Sequence, residues 1–132
     1  MIKQISRAAG LVLALSIAPA ASVFAQSDLP AQVADTSKGK ILVDPNGMTL
    51  YTFDKDVGGK SACTGGCAMN WPALTAPAGA HPVGGWTIVA RDDGKVQWAY
   101  KGKPLYTFVK DAKPGDVTGD GFLNNSWHVA AP

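Results

Sequence analysis

The chain contains no glutamate, and all 10 of its acidic residues are aspartate. Aspartate favours turns and helix caps, whereas glutamate favours helix interiors. No long segment repeats its apolar residues at the 3.6-residue spacing of an amphipathic helix. The 15 glycines and 9 prolines add further turn signals. These features argue against a helical bundle and predict a mainly β domain.

An excess of basic charge is also missing once the N-terminus is set aside. Lys3 and Arg7 are two of the 12 basic residues, and the others are balanced by the 10 acidic ones. A neutral chain has no surplus charge with which to hold a phosphate backbone or an anionic membrane. We therefore expect no nucleic-acid partner. The length of 132 residues is typical of a single domain.

Residues 1–25 have the pattern of a secretory signal peptide. Lys3 and Arg7 are positive, Ala8 to Ala18 is apolar, and small residues precede a cleavage site after Ala25. The apolar run is too short to cross about 30 Å of hydrocarbon. No cysteine follows it to accept a lipid. The pattern predicts a periplasmic or extracellular protein that is soluble after cleavage and has no transmembrane segment in the mature chain.

The composition changes again near Lys40. Residues 26–39 are small and polar, and we expect them to form a flexible N-terminal arm. Residues 40–132 are expected to form a single domain. Their short β-branched and aromatic runs, separated by glycine, proline and aspartate, are typical of strands joined by turns. The predicted strands span residues 41–43, 48–53, 86–90, 96–100, 105–108 and 127–130.

An internal repeat organises this domain. The tetrapeptide Leu50–Phe53 recurs, residue for residue, as Leu105–Phe108. An aspartate follows each copy after the same interval, and a tryptophan comes later. The motif residues are Tyr51, Phe53, Asp56, Trp71, Tyr106, Phe108, Asp111 and Trp127. The repeat predicts two hairpin-based units, about 41–72 and 96–128, that share one core in a small antiparallel sandwich or barrel-like sheet.

The motif residues can be interpreted as packing or as a site. The tyrosine and phenylalanine of each copy lie on one face of a strand, because side chains alternate between its faces. We interpret them as core residues, since aromatic side chains bury large areas; the alternative is an aromatic-lined ligand groove. Asp56 and Asp111 are expected to bond nearby backbone amides rather than to act in catalysis. Neither His81 nor His128 lies in a nucleophile motif, and we predict no catalytic residues and no enzyme activity.

Cys63 and Cys67 are the only cysteines, and two of the three residues between them are glycine. Two cysteines in an exported protein normally pair, and glycine lets so short a loop close. We therefore predict a disulfide and no cofactor. The alternative is a copper site in which both thiolates are joined by Met69, His81 or His128.

Two stretches carry a resemblance to a known family. The first begins at Tyr51-Thr52-Phe53-Asp54-Lys55-Asp56 and continues through the cysteine loop to Trp71-Pro72, and the second runs from Asp93 to Tyr106. They resemble the bacterial "secreted repeat of unknown function" family, predicted lipoproteins with a Tyr-x-aromatic-x-x-Asp motif. The resemblance covers nearly all of residues 40–129. It implies export, but no settled activity and no catalytic residues. The chain departs from the lipoprotein branch because it lacks the lipid-accepting cysteine.

These features predict an exported, non-enzymatic binding or interaction module. Its partner is expected to be an unknown small molecule or an envelope protein. One alternative is a periplasmic copper or other metal-handling protein that uses Cys63 and Cys67, and another is an uncharacterised enzyme. With 3 methionines and 2 histidines, the chain lacks the Met- or His-rich tracts of a dedicated copper carrier.

Overall fold

Strands dominate the computed structural model, which describes residues 29–132. The predicted signal peptide, residues 1–25, lies outside the described residues. The prediction of a mainly β chain with antiparallel sheets is confirmed. The strands are β1 (Gln32–Thr36), β2 (Gly39–Val43), β3 (Tyr51–Phe53), β4 (Trp86–Ala90), β5 (Val96–Tyr100), β6 (Lys103–Pro104) and β7 (Trp127–Val129). One helical turn, α1, spans Gly66–Asn70, and a second short segment, α2, spans Phe122–Asn125 but has positive φ at three of its residues.

The first strand lies where the sequence predicts a flexible arm. β1 pairs antiparallel with β2 from Gln32 opposite Val43 to Thr36 opposite Gly39. The arm predicted over residues 26–39 is therefore wrong for its second half, and the folded part begins earlier than Lys40. β1 alternates only weakly, because it lies at the edge of its sheet and most of its side chains are exposed or half-buried.

The remaining strands form two more small antiparallel sheets. β3 pairs with β7, and β4, β5 and β6 follow one another in a three-stranded sheet. Isolated bridges join the sheets, and one of them lies at the centre of the molecule. There the Tyr51 amide donates to the Tyr106 carbonyl at 2.8 Å, and the Tyr106 amide donates back to the Tyr51 carbonyl at 3.0 Å. This reciprocal pair relates the two tetrapeptides by an approximate two-fold axis.

The same hydrogen-bond pattern surrounds each tetrapeptide. In the first half, backbone amides donate to backbone carbonyls from Leu42 to Ala130 at 2.9 Å, from Leu50 to Leu42 at 3.0 Å and from Ala130 to Leu50 at 2.8 Å. In the second half, Trp98 donates to Leu74, Leu105 to Trp98, and Leu74 to Leu105, at 2.8, 3.1 and 2.9 Å. Leu74 follows the first repeat and Ala130 follows the second. Each repeat therefore places its last segment in the sheet of the other, and neither half can complete its sheet alone.

The strands predicted over residues 48–53 and 105–108 are both shorter than expected, and the first is reduced to β3. Residues 105–108 form a bridge at Tyr106 rather than a continuous strand. Their neighbour is the segment around Pro72, which accepts from the Thr107 amide at 2.8 Å but has no N–H to donate. In the first half His128 stands opposite Thr52, at the place that Pro72 takes here, and the ladder between β3 and β7 continues. The proline interrupts a ladder that its counterpart completes.

Candidate functional site

Four aromatic rings form a continuous stack where the two repeats meet. Trp71 and Trp127 lie at its centre with ring centroids 3.8 Å apart and planes within 2° of parallel. Phe53 stacks on Trp127 at 4.1 Å, and Phe108 stacks on Trp71 at 4.0 Å. The stack alternates between the repeats along its length, and all four side chains are buried. Packing across the two-fold axis therefore depends on both copies of the motif.

The two tyrosines pack edge-on against the stack. Tyr51 meets Trp71 at 5.3 Å between ring centroids, and Tyr106 meets Trp127 at 5.1 Å. Both tyrosines are completely shielded from solvent. T-shaped contacts of this kind place the positive edge of one ring against the negative face of the other. The structure thus places the aromatic motif residues in the core, where the alternative interpretation has a ligand groove.

The tyrosine hydroxyls bind the motif aspartates crosswise. The Tyr51 hydroxyl donates to Asp111 Oδ2 at 2.6 Å, and the Tyr106 hydroxyl donates to Asp56 Oδ2 at 2.7 Å. Each aspartate also accepts a backbone amide of its own loop, Ala62 on Asp56 at 2.6 Å and Thr118 on Asp111 at 3.0 Å. Each carboxylate therefore ties its loop to the tyrosine of the other repeat.

Burial perturbs these groups in a consistent direction. It raises the pKa of Tyr51 and Tyr106, and the neighbouring carboxylates raise both further. Burial also raises the pKa of Asp56, although its bonds from Ala62 and Tyr106 act in the opposite direction. The tyrosines are therefore proton donors in these bonds at neutral pH. The backbone partners of the aspartates agree with the sequence prediction, whereas the crossed tyrosine bonds have no sequence signal.

Cys63 and Cys67 form a disulfide, with their Cα atoms 5.2 Å apart. Cys63 is buried in the aromatic cluster, while Cys67 lies at its edge in α1. Neither sulfur is a free thiolate while this bond stands. Of the proposed copper ligands, Met69 and His81 are exposed, and His128 faces Asp54. Within residues 29–132, no three His, Cys, Asp or Glu side chains are grouped as a metal site.

Arg91 is a buried polar residue that the sequence analysis missed. Its guanidinium is 1% exposed and pairs with Asp93 at 2.8 Å. It also donates to Ser61 Oγ at 2.8 Å, to the Cys63 carbonyl at 2.8 Å and to Gln97 Oε1 at 2.9 Å. These bonds hold the cysteine loop of the first repeat against β5 of the second. Arg91 precedes two aspartates, a glycine and a lysine, so its position is typical of an exposed turn.

A polar cleft opens on the outer face of β3 and β7. The inward residues of these strands form the stack, so Thr52 and its partner His128 face outward. His128 Nε2 lies 2.9 Å from Asp54 Oδ2, at the end of β3. A cavity of about 260 Å³ adjoins this pair, and a smaller one of about 120 Å³ shares Thr52 and Lys103 in its wall. We refer to the two cavities together as the polar cleft.

Lysines from the second repeat form the other side of the polar cleft. Lys103 in β6 lines both cavities, and Lys101, in the turn before it, lines the larger one. The Lys101 ammonium lies 5.2 Å from the centre of the Tyr100 ring. Within the described residues, neither lysine has a carboxylate within 4.0 Å or a side-chain hydrogen bond. Asp54 and Asp56 line the smaller cavity.

The positions that the two-fold axis relates to Asp54, Lys103 and His128 carry no such charges. Asp54 donates its amide to the Ser126 carbonyl at 2.8 Å, and Val109 makes the matching bond to Asn70 at 3.0 Å. Pro72 takes the place of His128. In the turn of the first repeat, the Met48 carbonyl accepts from the Asp44 amide at 2.8 Å. In the turn of the second repeat, Lys103 pairs with Tyr100, so Met48 is the counterpart of Lys103. Each of these three charged or titratable residues thus has an uncharged counterpart in the other repeat, although the backbone bonds are the same.

None of the helices within residues 29–132 is long and apolar enough to cross a membrane. Comparison with curated proteins and with solved structures finds no match. One family model does match, twice, over residues 32–75 and 87–131. These ranges are wider than the repeats predicted from sequence, and each includes the exchanged segment that follows the tryptophan. The chain therefore belongs to the family described as a secreted repeat of unknown function, of which it contains two copies.

Proposed function

We propose that the protein is an exported, non-enzymatic binding module and that the polar cleft is its binding site. Export into a periplasm or the extracellular space agrees with the description of the family as secreted. It also agrees with the signal pattern of residues 1–25, which predicts cleavage after Ala25 and Gln26 as the mature N-terminus.

The difference between the two halves at the polar cleft carries this proposal. Both halves make the same backbone bonds, so the fold itself does not require charge at Asp54, Lys103 or His128. At the positions that the two-fold axis relates to these three, the same fold accommodates Val109, Met48 and Pro72. Charged groups that the fold does not need, gathered at a cavity, are typical of a ligand site.

The motif residues support a non-enzymatic role. Tyr51 and Tyr106 are buried, and each hydroxyl is bound to a carboxylate of the other repeat. A general acid or base must reach the proton that it transfers in a bound substrate. These groups reach one another instead, so their chemistry is used to hold the halves together. Cys63 and Cys67 are likewise joined to each other.

The test is to purify the exported protein from its own cell envelope without denaturation and to measure its native mass. We expect a polypeptide that begins at Gln26 and carries an additional bound mass. Lys103→Met introduces the residue of the equivalent turn, so it should fold normally and lose that mass. Lys110→Met, outside the cleft, is the matched control and should retain it.

Two results would contradict the proposal. A bound mass that persists unchanged in Lys103→Met would place the ligand elsewhere. The second is a wild-type protein with no bound mass, in which the amide NMR resonances of the cleft residues also stay unchanged when envelope extract is added. The polar cleft would then have no binding role. Retention of residues 1–25 in the exported protein would separately overturn the predicted cleavage.

A further inference from the structure

Building on the proposed function, we propose that the polar cleft binds a small anion with an apolar body. Lys101 and Lys103 would receive the anionic group, and the apolar body would lie in the larger cavity. The polar groups of the cleft differ in whether they are already bonded within the protein.

The acidic groups of the cleft already have partners. Asp54 faces the ring of His128 at 2.9 Å, and Asp56 accepts from the Tyr106 hydroxyl and the Ala62 amide at 2.7 and 2.6 Å. In the part of the chain that the structure describes, the ammonium groups of Lys101 and Lys103 lack such partners. Both ammonium groups are exposed and no described carboxylate lies within 4.0 Å of them, so an anion beside them gains charge attraction that a cation does not.

The shape and lining of the larger cavity favour an apolar body attached to this anion. Besides the lysines, its walls include Tyr100, Val129 and Ala131. Its volume of about 260 Å³ is slightly below the usual range of drug-sized pockets, which begins near roughly 300 Å³. A single ring or a short aliphatic chain with one anionic group fits these dimensions.

The backbone at Lys101 is a second and independent observation. Lys101 has a φ of 51° and is followed by Gly102 at 83°, the pattern of a tight hairpin turn in which both central residues are left-handed. Asparagine, aspartate or glycine is favoured at the first of these positions, and lysine is not. Strain of this kind clusters at ligand sites, where a particular side chain is needed in spite of its cost. Lys101 is such a side chain, directed over the Tyr100 ring beside the cavity.

The experiment compares three probes by titration of the isotope-labelled full-length mature protein, followed by backbone amide shifts at low ionic strength. Phenylacetate is an anion with an apolar body, acetate is the anion alone, and phenethylamine is a cation with a similar body. We expect phenylacetate to bind best, with shifts at Thr52, Lys103 and Val129. Raising the salt from 0.02 M to 0.5 M should weaken phenylacetate binding, because charge attraction at a surface is screened.

Variants separate a binding role of the lysines from a structural one. Lys101→Asn relieves the turn, so the thermal midpoint should rise by a few degrees while phenylacetate affinity falls about tenfold. Lys103→Met should also lower affinity about tenfold with little change in the midpoint. Lys110→Met is the control and should change neither quantity.

The outcomes distinguish the ligand class from the proposed function. If phenethylamine binds as well as phenylacetate, or if Lys101→Asn stabilises the turn without loss of affinity, the anionic class is wrong. If the native bound mass is nevertheless lost in Lys103→Met, the polar cleft remains the binding site for another class of ligand. If no probe binds and the native bound mass is unchanged in Lys103→Met, both proposals fail together.

Discussion

The two repeats build one symmetric centre, the four-ring stack with its crossed tyrosine–aspartate bonds, from two different loops. In the first repeat, the loop between the aspartate and the tryptophan is closed by the disulfide, with Cys63 buried. The amides of Ala62 and Thr118 bond the two motif aspartates in the same way. Gly119, which follows Thr118, is therefore the counterpart of Cys63, which follows Ala62. A side chain there would bring a Cβ within 2.6 Å of the Trp71 ring. The stack and the crossed bonds are nevertheless alike in both halves, although the second loop has no cystine.

The anchors of the two loops differ as well. Arg91 holds the first loop through Ser61 and the Cys63 carbonyl. The second loop is held by Thr49, whose hydroxyl donates to the Asp116 carbonyl at 2.6 Å, and ends in α2. Three successive residues from Leu123 have positive φ there, which side chains rarely adopt. The motif therefore specifies the centre, whereas each loop is stabilised by its own local contacts.

The largest expected effect comes from breaking the stack. Phe53→Ala and Phe108→Ala should each lower the free energy of unfolding by about 3–5 kcal/mol, because each removes a buried ring from the end of the same stack. If the halves are equivalent, the two losses should agree within about 1 kcal/mol. Chemical denaturation followed by tryptophan fluorescence measures both.

Phe122→Ala is the matched control for these substitutions. Phe122 also touches Trp71 and Phe108, but its side chain is 45% exposed and it has no place in the stack. Its loss should be clearly smaller than that of Phe108→Ala. A near-neutral result for Phe53→Ala or Phe108→Ala would return these rings to the groove interpretation.

The next effect tests the crossed hydroxyl bonds. Tyr51→Phe and Tyr106→Phe should each cost about 2 kcal/mol, since each removes a hydrogen bond to a charged group and leaves a carboxylate short of a donor. The cost should be larger for Tyr51, because its partner Asp111 is 7% exposed whereas Asp56 is less buried. Denaturant midpoints of the single variants and of Tyr106→Phe combined with Asp56→Asn give the coupling. Additive losses in that cycle would show that the bond does not link the repeats.

Much of the centre was predictable, because it follows from short-range patterns. The repeated tetrapeptide and the alternation of side chains along a strand place Tyr51 and Phe53 on one face. The spacing of Cys63 and Cys67 in an exported chain predicts their pairing. The strand at residues 32–36 was missed, because an edge strand needs no strong alternation of apolar residues.

The polar cleft and the Arg91 contacts were not predictable from sequence. Arg91 is buried only because Ser61 and Cys63, distant along the chain, fold against it. His128 and Lys103 come together through the exchange of the last segments, which has no local signal. The crossing of tyrosine and aspartate between repeats is hidden for the same reason. A repeat predicts that two units are alike, but not which parts they exchange.

A similar or smaller effect is expected for the disulfide. Replacing both Cys63 and Cys67 by alanine should cost about 2 kcal/mol, because the cystine closes only a short loop of the unfolded chain. The variant should remain folded, as the second half does with Gly119 at the equivalent position. Denatured without reductant, the wild type should show no free thiol. Two titratable thiols, with Cu(I) binding that is lost in Cys63→Ser, would instead favour the metal-handling alternative.

The smallest effect at neutral pH is expected from tyrosine ionisation, which appears only in alkali. Burial raises the pKa of Tyr51 and Tyr106 in the folded protein, whereas tyrosine in an unfolded chain ionises near pH 10. Above that pH the unfolded state loses protons that the folded state keeps, so the free energy of unfolding should fall as the pH rises. Below it, these two groups should contribute no pH dependence.

A Tyr100→Phe background isolates the signal, because Tyr51 and Tyr106 are then the remaining tyrosines. Their phenolate absorbance should appear in one step that coincides with the loss of circular dichroism, since ionisation requires unfolding. The crossed bonds make the same prediction for both residues, so the two repeats should titrate together. Phenolate absorbance that develops near pH 10 while the circular dichroism is unchanged would show that the hydroxyls are open to solvent and that the carboxylates do not hold them.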